Sequence, residues 1–108
     1  MTIREHWDRV ADLGCILSGA QSPTLHHCHG GSLREIGIHK GLGQKTSDFL
    51  VIPLAPRFHT GEYGIDVIPV WEWEHRFGRQ VDHLDELCQS LGYNVWELAG
   101  VKRRVEGC

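Results

Sequence analysis

The sequence predicts an α+β domain from three features. Trp7, Val10 and Ala11, and later Val81, Leu84, Leu87, Cys88 and Leu91, recur at the spacing that puts apolar side chains on one face of a helix. Asp48-Phe-Leu-Val-Ile-Pro-Leu has the composition of a buried strand. Residues 29–48 carry five glycines and no sustained period, which reads as a long glycine-rich loop. With 108 residues, 41% of them hydrophobic and 23% charged, these pieces fit a single domain spanning residues 1–108.

The first helix is expected over residues 4–13, stopped by Gly14. Cys15-Ile16-Leu17 then reads as a strand, Ser18 to Pro23 as a turn, and Thr24-Leu25-His26-His27 as the returning strand, a small hairpin that ends in histidines. After the glycine-rich loop, the strand over 48–54 is expected to stop at Pro53 and Pro56. Trp71 to His75 fits an alternating strand or a helix that starts after Pro69, and Arg76-Phe77-Gly78 favours the helix. The stripe from Val81 to Leu91 is a scaffold helix closed by Gly92. Asn94-Val-Trp-Glu97 has the spacing of a capping box, so a last helix starts there. Lys102-Arg103-Arg104 reads as a solvated helix end suited to the helix dipole.

Eleven Lys and Arg against fourteen Asp and Glu give a net charge of -3, so the molecule as a whole does not attract nucleic acid, and any such binding needs a local basic face. The apolar runs are too short to cross a membrane, and the start has no apolar run leading to a small-residue cleavage site. Cys15, Cys28, Cys88 and Cys108 are scattered, which disfavours a disulfide framework and fits the reducing cytoplasm. The compositional outlier is histidine. There are eight, and His26, His27, His29 and His39 fall within fourteen positions.

Adjacent side chains on a strand point to opposite faces. His26 can therefore face a cation while His27 faces a water, or a bulge can turn either one. Neutral imidazole and carboxylate bind divalent ions, and an imidazole left off the metal can accept a proton from water. His59 follows the strand and its prolines, and Asp66 comes seven residues later, after Gly61 and Gly64, which permit a turn back toward His59. The plain alternatives are a His27 that bonds a backbone carbonyl and an Asp66 that caps a turn.

The order of Gly-Cys15-Ile-Leu-Ser18-Gly, Leu25-His26-His27-Cys28, Gly43-Gln-Lys-Thr-Ser-Asp48, Ile52-Pro-Leu-Ala55-Pro-Arg-Phe-His59-Thr-Gly and Gly64-Ile-Asp66 resembles the phage and prophage recombination-enhancement, RecA-dependent nucleases. These are a branch of the His-Asn-His, or beta-beta-alpha-metal, superfamily, and the resemblance covers about residues 8–92. It implies a small beta-beta-alpha-metal core with flanking helices, one divalent ion (Mg, Mn or Zn), and hydrolysis of DNA phosphodiesters. It further implies DNA and recombination proteins as partners, in the cytoplasm of a bacterial host. By position, His27 looks like the general base, and His26, His59 and Asp66 look like the metal ligands. Relatives often carry histidine where this chain has Phe58 and Asp66, and cysteine where it has Ser18 and Ala55. A carboxylate at 66 shifts the cation preference toward magnesium or manganese.

Arg34, Lys40 and Lys45 in the glycine-rich loop are expected to contact DNA phosphates without reading bases. Arg57, close to His59, is expected to clamp the scissile phosphate or its transition state. Two other function classes fit the same residues. One is a noncatalytic DNA-binding or recombination accessory module. The other is a zinc-stabilised protein-interaction module that uses Cys15, Cys28 and His29, with Trp71 and Trp73 as anchors.

Overall fold

A computed structural model of the chain describes residues 1–40 and 46–108, so the expected phosphate contact Lys45 lies outside the described residues. In chain order the elements are α1 (Ile3–Asp12), β1 (Thr24–His27), α2 (Ser32–Glu35), β2 (Val51–Leu54), α3 (Pro56–His59), α4 (Val70–Phe77), α5 (Gln80–Leu91) and α6 (Val95–Leu98). This is an α+β fold in which a two-stranded antiparallel sheet and the helix after it form a core like that of the beta-beta-alpha-metal proteins, with the other helices flanking it. No helix among the described residues is long and apolar enough to cross a membrane.

The hairpin partner differs from the sequence expectation. β1 pairs with β2, in the register Thr24↔Leu54, Leu25↔Pro53, His26↔Ile52 and His27↔Val51. Cys15-Ile16-Leu17 forms no strand, because its backbone groups are taken locally: the Cys15 N–H donates to Ala20 O (2.9 Å) and the Gly19 N–H to Cys15 O (2.7 Å). A single bond, from the Ile16 N–H to Pro53 O (2.9 Å), joins that segment to the sheet. Pro53 also does not stop the strand. Its carbonyl faces Ile16, away from β1, so its missing N–H lies on the outer side and the pairing loses no donor. All four residues of β2 are buried, and that burial selects it as the partner of β1.

The core gathers Leu33, Ile52, Leu54, Trp73, Leu84 and Trp96 from β2 and four helices. Residues 70–77 are helical, which puts Trp71 and Trp73 on opposite faces: Trp73 is fully buried and Trp71 is 70% exposed. The Trp73 indole N–H donates to Phe58 O (3.1 Å) and ties α4 to α3. The start of α5 has no cap of its own. The Gln80 N–H donates to Glu74 Oε2 (2.9 Å) and the Val81 N–H to Ser32 Oγ (3.1 Å), so its first donors are satisfied by α4 and α2. Ser32 in turn gives its N–H and hydroxyl to Glu74 (3.0 and 2.7 Å). Gly31 is required at this junction: its φ is +47°, and a Cβ there would stand 2.5 Å from Glu74 Oε1.

Asn94 caps α6 as expected, accepting from the Trp96 and Glu97 N–H groups (2.9 and 3.3 Å), although Glu97 does not return the bond. The basic tail is not a helix end. The helix stops at Leu98, and Arg103 folds back to make a bidentate pair with Asp85 (3.0 and 2.7 Å) over the Trp96 ring. All four cysteines are free, with Cys15, Cys28 and Cys88 buried.

His6 is buried at the base of α1. Its Nε2–H donates to Phe49 O (3.0 Å), so Nδ1 accepts from the Tyr93 hydroxyl (2.8 Å) and the ring is neutral. Burial holds its pKa below the ordinary 6.5, against the opposing pull of the Phe49 carbonyl. The unfolded chain therefore binds a proton that the folded chain resists, and stability is full above pH 6.5 and falls as pH drops below it. Urea midpoints measured across that range are expected to fall toward acid, with a shallower slope in His6→Gln; equal slopes would contradict the assignment. Asn94→Ala is expected to lower urea stability by about 1 kcal/mol through loss of the cap.

Candidate metal centre and its cleft

The site forms where β1 meets the chain that leaves β2. Ala55 is followed by Pro56 at the first position of α3, where its fixed φ and absent N–H are both accommodated. α3 lasts one turn, ends at His59, and then doubles back on itself: the Tyr63 N–H donates to Arg57 O (2.9 Å), the Ile65 N–H to Phe58 O (3.0 Å) and the Asp66 N–H to His59 O (3.0 Å). Gly64 makes this return possible, because a Cβ there would collide with the His59 carbonyl. The turn that the glycines permit thus puts Asp66 beside His59, with Asp66 Oδ2 3.1 Å from His59 Nε2.

His26 completes the group from β1. Its Nδ1 is 3.7 Å from Asp66 Oδ1, and its ring centroid is 5.2 Å from that of His59. One ligand atom from each of His26, His59 and Asp66 lies within 4.8 Å of the others. This His/Asp cluster is able to coordinate a divalent ion, whose bonds to nitrogen and oxygen are about 2.0–2.2 Å, and is consistent with a His-Asn-His-like motif.

Hydrogen bonds fix which nitrogen each histidine offers. The Gln80 Nε2 donates to His29 O (2.8 Å) and Gln80 Oε1 accepts the His29 N–H (3.1 Å), which sets the orientation of that amide. His26 Nε2, 3.2 Å from the same Oε1, must therefore carry its proton, and Nδ1 presents a lone pair to the site. The Thr24 hydroxyl donates to Leu54 O (3.0 Å) and is left to accept from His59 Nδ1–H (2.7 Å), so Nε2 is the His59 nitrogen turned toward Asp66. Two imidazoles and one carboxylate converge, each imidazole held from behind by an acceptor, as metal-ligating histidines usually are. His26 is only 2% exposed, and burial pushes its pKa down to about 4 although Asp66 pulls it up, so the ring is neutral at neutral pH.

His27 turns to the other side of β1. Its side chain is 26% exposed, its Nε2 is 2.8 Å from Asp48 Oδ1, and its ring stands at 90° to Trp7. The opening of about 260 Å³ over the metal group is lined by Leu25, His26, His27, His29, His59 and Asp66, so His27 is one of the residues around the cleft. Arg57 is exposed on α3 with its guanidinium 4.6 Å from the Phe58 ring centre, and it is outside that lining. Arg34 and Lys40 border an adjoining hollow with His29 and Gly30.

Among the described residues the only group of three or more metal-capable side chains is His26, His59 and Asp66. Cys15, Cys28 and His29 form no such group, and the Cys28 thiol is fully buried, with burial raising its pKa well above the ordinary value. A larger depression of about 700 Å³ near the tail, lined by Asn94, Glu97 and residues 100–104, holds none of these ligands. Sequence reasoning missed Asp48, Thr24 and Gln80 as supports of the site. Thr24 had a readable signal, since it shares a strand face with His26 at period 2; Asp48 stood within a quoted motif segment; Gln80 had none.

No family model, curated protein or solved structure matches this chain. The geometry is consequently the whole basis for the metal assignment.

Thr24→Val keeps the shape at an exposed position but removes the acceptor behind His59. It is expected to weaken Zn or Mn binding about 10–100-fold by calorimetry, with urea stability changed by less than about 1 kcal/mol. Unchanged metal affinity would remove Thr24 from the site.

Proposed function

We propose that the chain is a metal-dependent endonuclease that hydrolyses DNA phosphodiesters. The observation that carries this reading is the meeting of the His26, His59 and Asp66 ligand atoms at one cleft whose lining also includes His27, the next residue of β1, with its ring held by Asp48. The resemblance to the recombination-enhancement nucleases adds the substrate class, DNA, and the order of the motifs along the chain.

A divalent ion held there would supply polarisation of the phosphoryl group and stabilisation of charge on the departing sugar oxygen. The protein's own groups do the rest. His27 takes a proton from the attacking water through the nitrogen not engaged with Asp48, while a bond forms between that water's oxygen and phosphorus and the bond from phosphorus to the sugar oxygen breaks. The Asp48 carboxylate orients the ring. Arg57, on the helix that carries His59, is assigned to the scissile phosphate, which it would reach by leaving the Phe58 ring. Magnesium, manganese and zinc are all compatible with an imidazole and carboxylate set, the carboxylate favouring the first two.

Plasmid nicking measured with each of these ions tests the reading. Wild type is expected to cleave with at least one of them and not in chelator. His27→Ala is expected to lose about 10²–10⁴-fold in rate with metal binding retained, and Asp66→Ala to weaken metal binding itself. Equal cleavage by wild type and His27→Ala would take His27 out of the chemistry. DNA binding without cleavage under every ion would make the chain a noncatalytic DNA-binding or recombination accessory module instead.

A further inference from the structure

Next to the metal cleft lies a second hollow of about 200 Å³, lined by His29, Gly30, Arg34 and Lys40, and His29 borders both. Arg34 and Lys40 are exposed, and neither makes an ion pair among the described residues. Arg76, Arg79 and Arg103, by contrast, are each matched to a carboxylate, on Glu72, Glu35 and Asp85. On a chain of net charge -3, two uncompensated cations around one concavity leave an electrostatic demand that the protein does not meet itself. The floor is open to close approach: Gly30 has φ +65°, and a Cβ on it would find only Val70 Cγ1, at 4.0 Å.

The two hollows are held in register by one buried side chain. Gln80 takes the His29 N–H and gives its own N–H to His29 O, while the same Oε1 accepts from His26. The His26 and His29 rings lie 5.4 Å apart. A nucleic-acid strand is a repeating polyanion, so one that sets a phosphodiester in the metal cleft must bring its neighbouring phosphates along the surface beside it. Arg offers a planar fork to phosphate oxygens and Lys a mobile point charge.

We propose that the His29, Arg34 and Lys40 hollow is a subsite for a backbone phosphate of DNA that neighbours the phosphodiester in the metal cleft. This rests on the nuclease reading above for the identity of the strand in the cleft, and it adds where that strand is gripped and on which side.

The test measures binding of a short fluorescein-labelled DNA duplex by anisotropy, in chelator and across a salt series, for wild type, Arg34→Gln/Lys40→Gln, and the control Lys102→Gln/Arg104→Gln, which removes the same charge from the exposed tail. The subsite variant is expected to bind at least tenfold more weakly than wild type at low salt. Its slope of log affinity against log salt is expected to fall by about 0.9 for each cation that contacts phosphate. Cleavage by this variant should lose kcat/KM on DNA, while hydrolysis of a small chromogenic phosphodiester stays within about twofold, since the single phosphate of that substrate does not extend into the hollow. Wild-type binding and slope in the subsite variant, or an equal loss in the tail control, would overturn the proposal. Tighter binding of an RNA duplex, or displacement of the duplex by a mononucleotide as effectively as by an oligonucleotide per phosphate, would overturn the DNA assignment. If wild type binds DNA through these residues but cleaves with no ion, the subsite stands and the hydrolytic reading falls; if it cleaves but the variant is unchanged, the reverse holds.

Discussion

The Gln80 side-chain amide is fully buried, and everything in the cleft depends on how it is satisfied. Its oxygen serves two donors, the His26 ring and the His29 backbone, and its nitrogen serves His29 O and Glu74. A buried amide with unmet hydrogen bonds costs on the order of 1–3 kcal/mol, so the arrangement is held with little freedom to flip. With Gln80 fixed, His26 has one available tautomer, and its lone pair faces Asp66 and His59. The rotamer of one glutamine thus decides whether the pair of histidines on β1 contains a metal ligand at all.

Gln80 is held in turn by a carboxylate that belongs to neither the cleft nor the sheet. Glu74 on α4 accepts from the Gln80 backbone and side chain and from Ser32 on α2. The start of α5 therefore relies on α4 and α2 for the donors that a local cap would normally satisfy. The same bonds anchor the Gly30-Gly31 corner, from which α2 carries Arg34 toward the second hollow. Scaffold and site are coupled here by hydrogen bonds rather than by apolar packing, and the ligands come from a strand (His26), the end of a one-turn helix (His59) and the connection from α3 to α4 (Asp66).

Several parts of this arrangement were legible in the sequence, and the reasons are local. The apolar stripe of α5 and its Gly92 stop, the cap at Asn94, and the glycines between His59 and Asp66 each express a rule that acts over a few residues. The misreadings concern partners distant in sequence. Cys15-Ile-Leu had a strand's composition but spent its backbone groups in a turn, and β1 paired instead with a segment more than twenty residues away. Pro53 looked like a stop because a proline costs a ladder donor, and that cost vanishes where the donor side faces outward. Arg103 was read as a solvated charge, but it found Asp85 across the surface.

The sequence by itself determined helices α1, α5 and α6 and the candidate ligand inventory, two imidazoles and a carboxylate with a glycine-permitted return between the last two, but not the one-turn helices α2, inside the stretch read as a glycine-rich loop, and α3. These follow from periodicities and backbone constraints that each residue carries with it. Only the tertiary structure decided which strand lies beside His26, which nitrogen of each ring is free, and that Asp48, Thr24 and Gln80 stand behind the site. Those outcomes depend on the direction of individual hydrogen bonds between segments that approach only when the core closes, and no spacing along the chain encodes a direction in space.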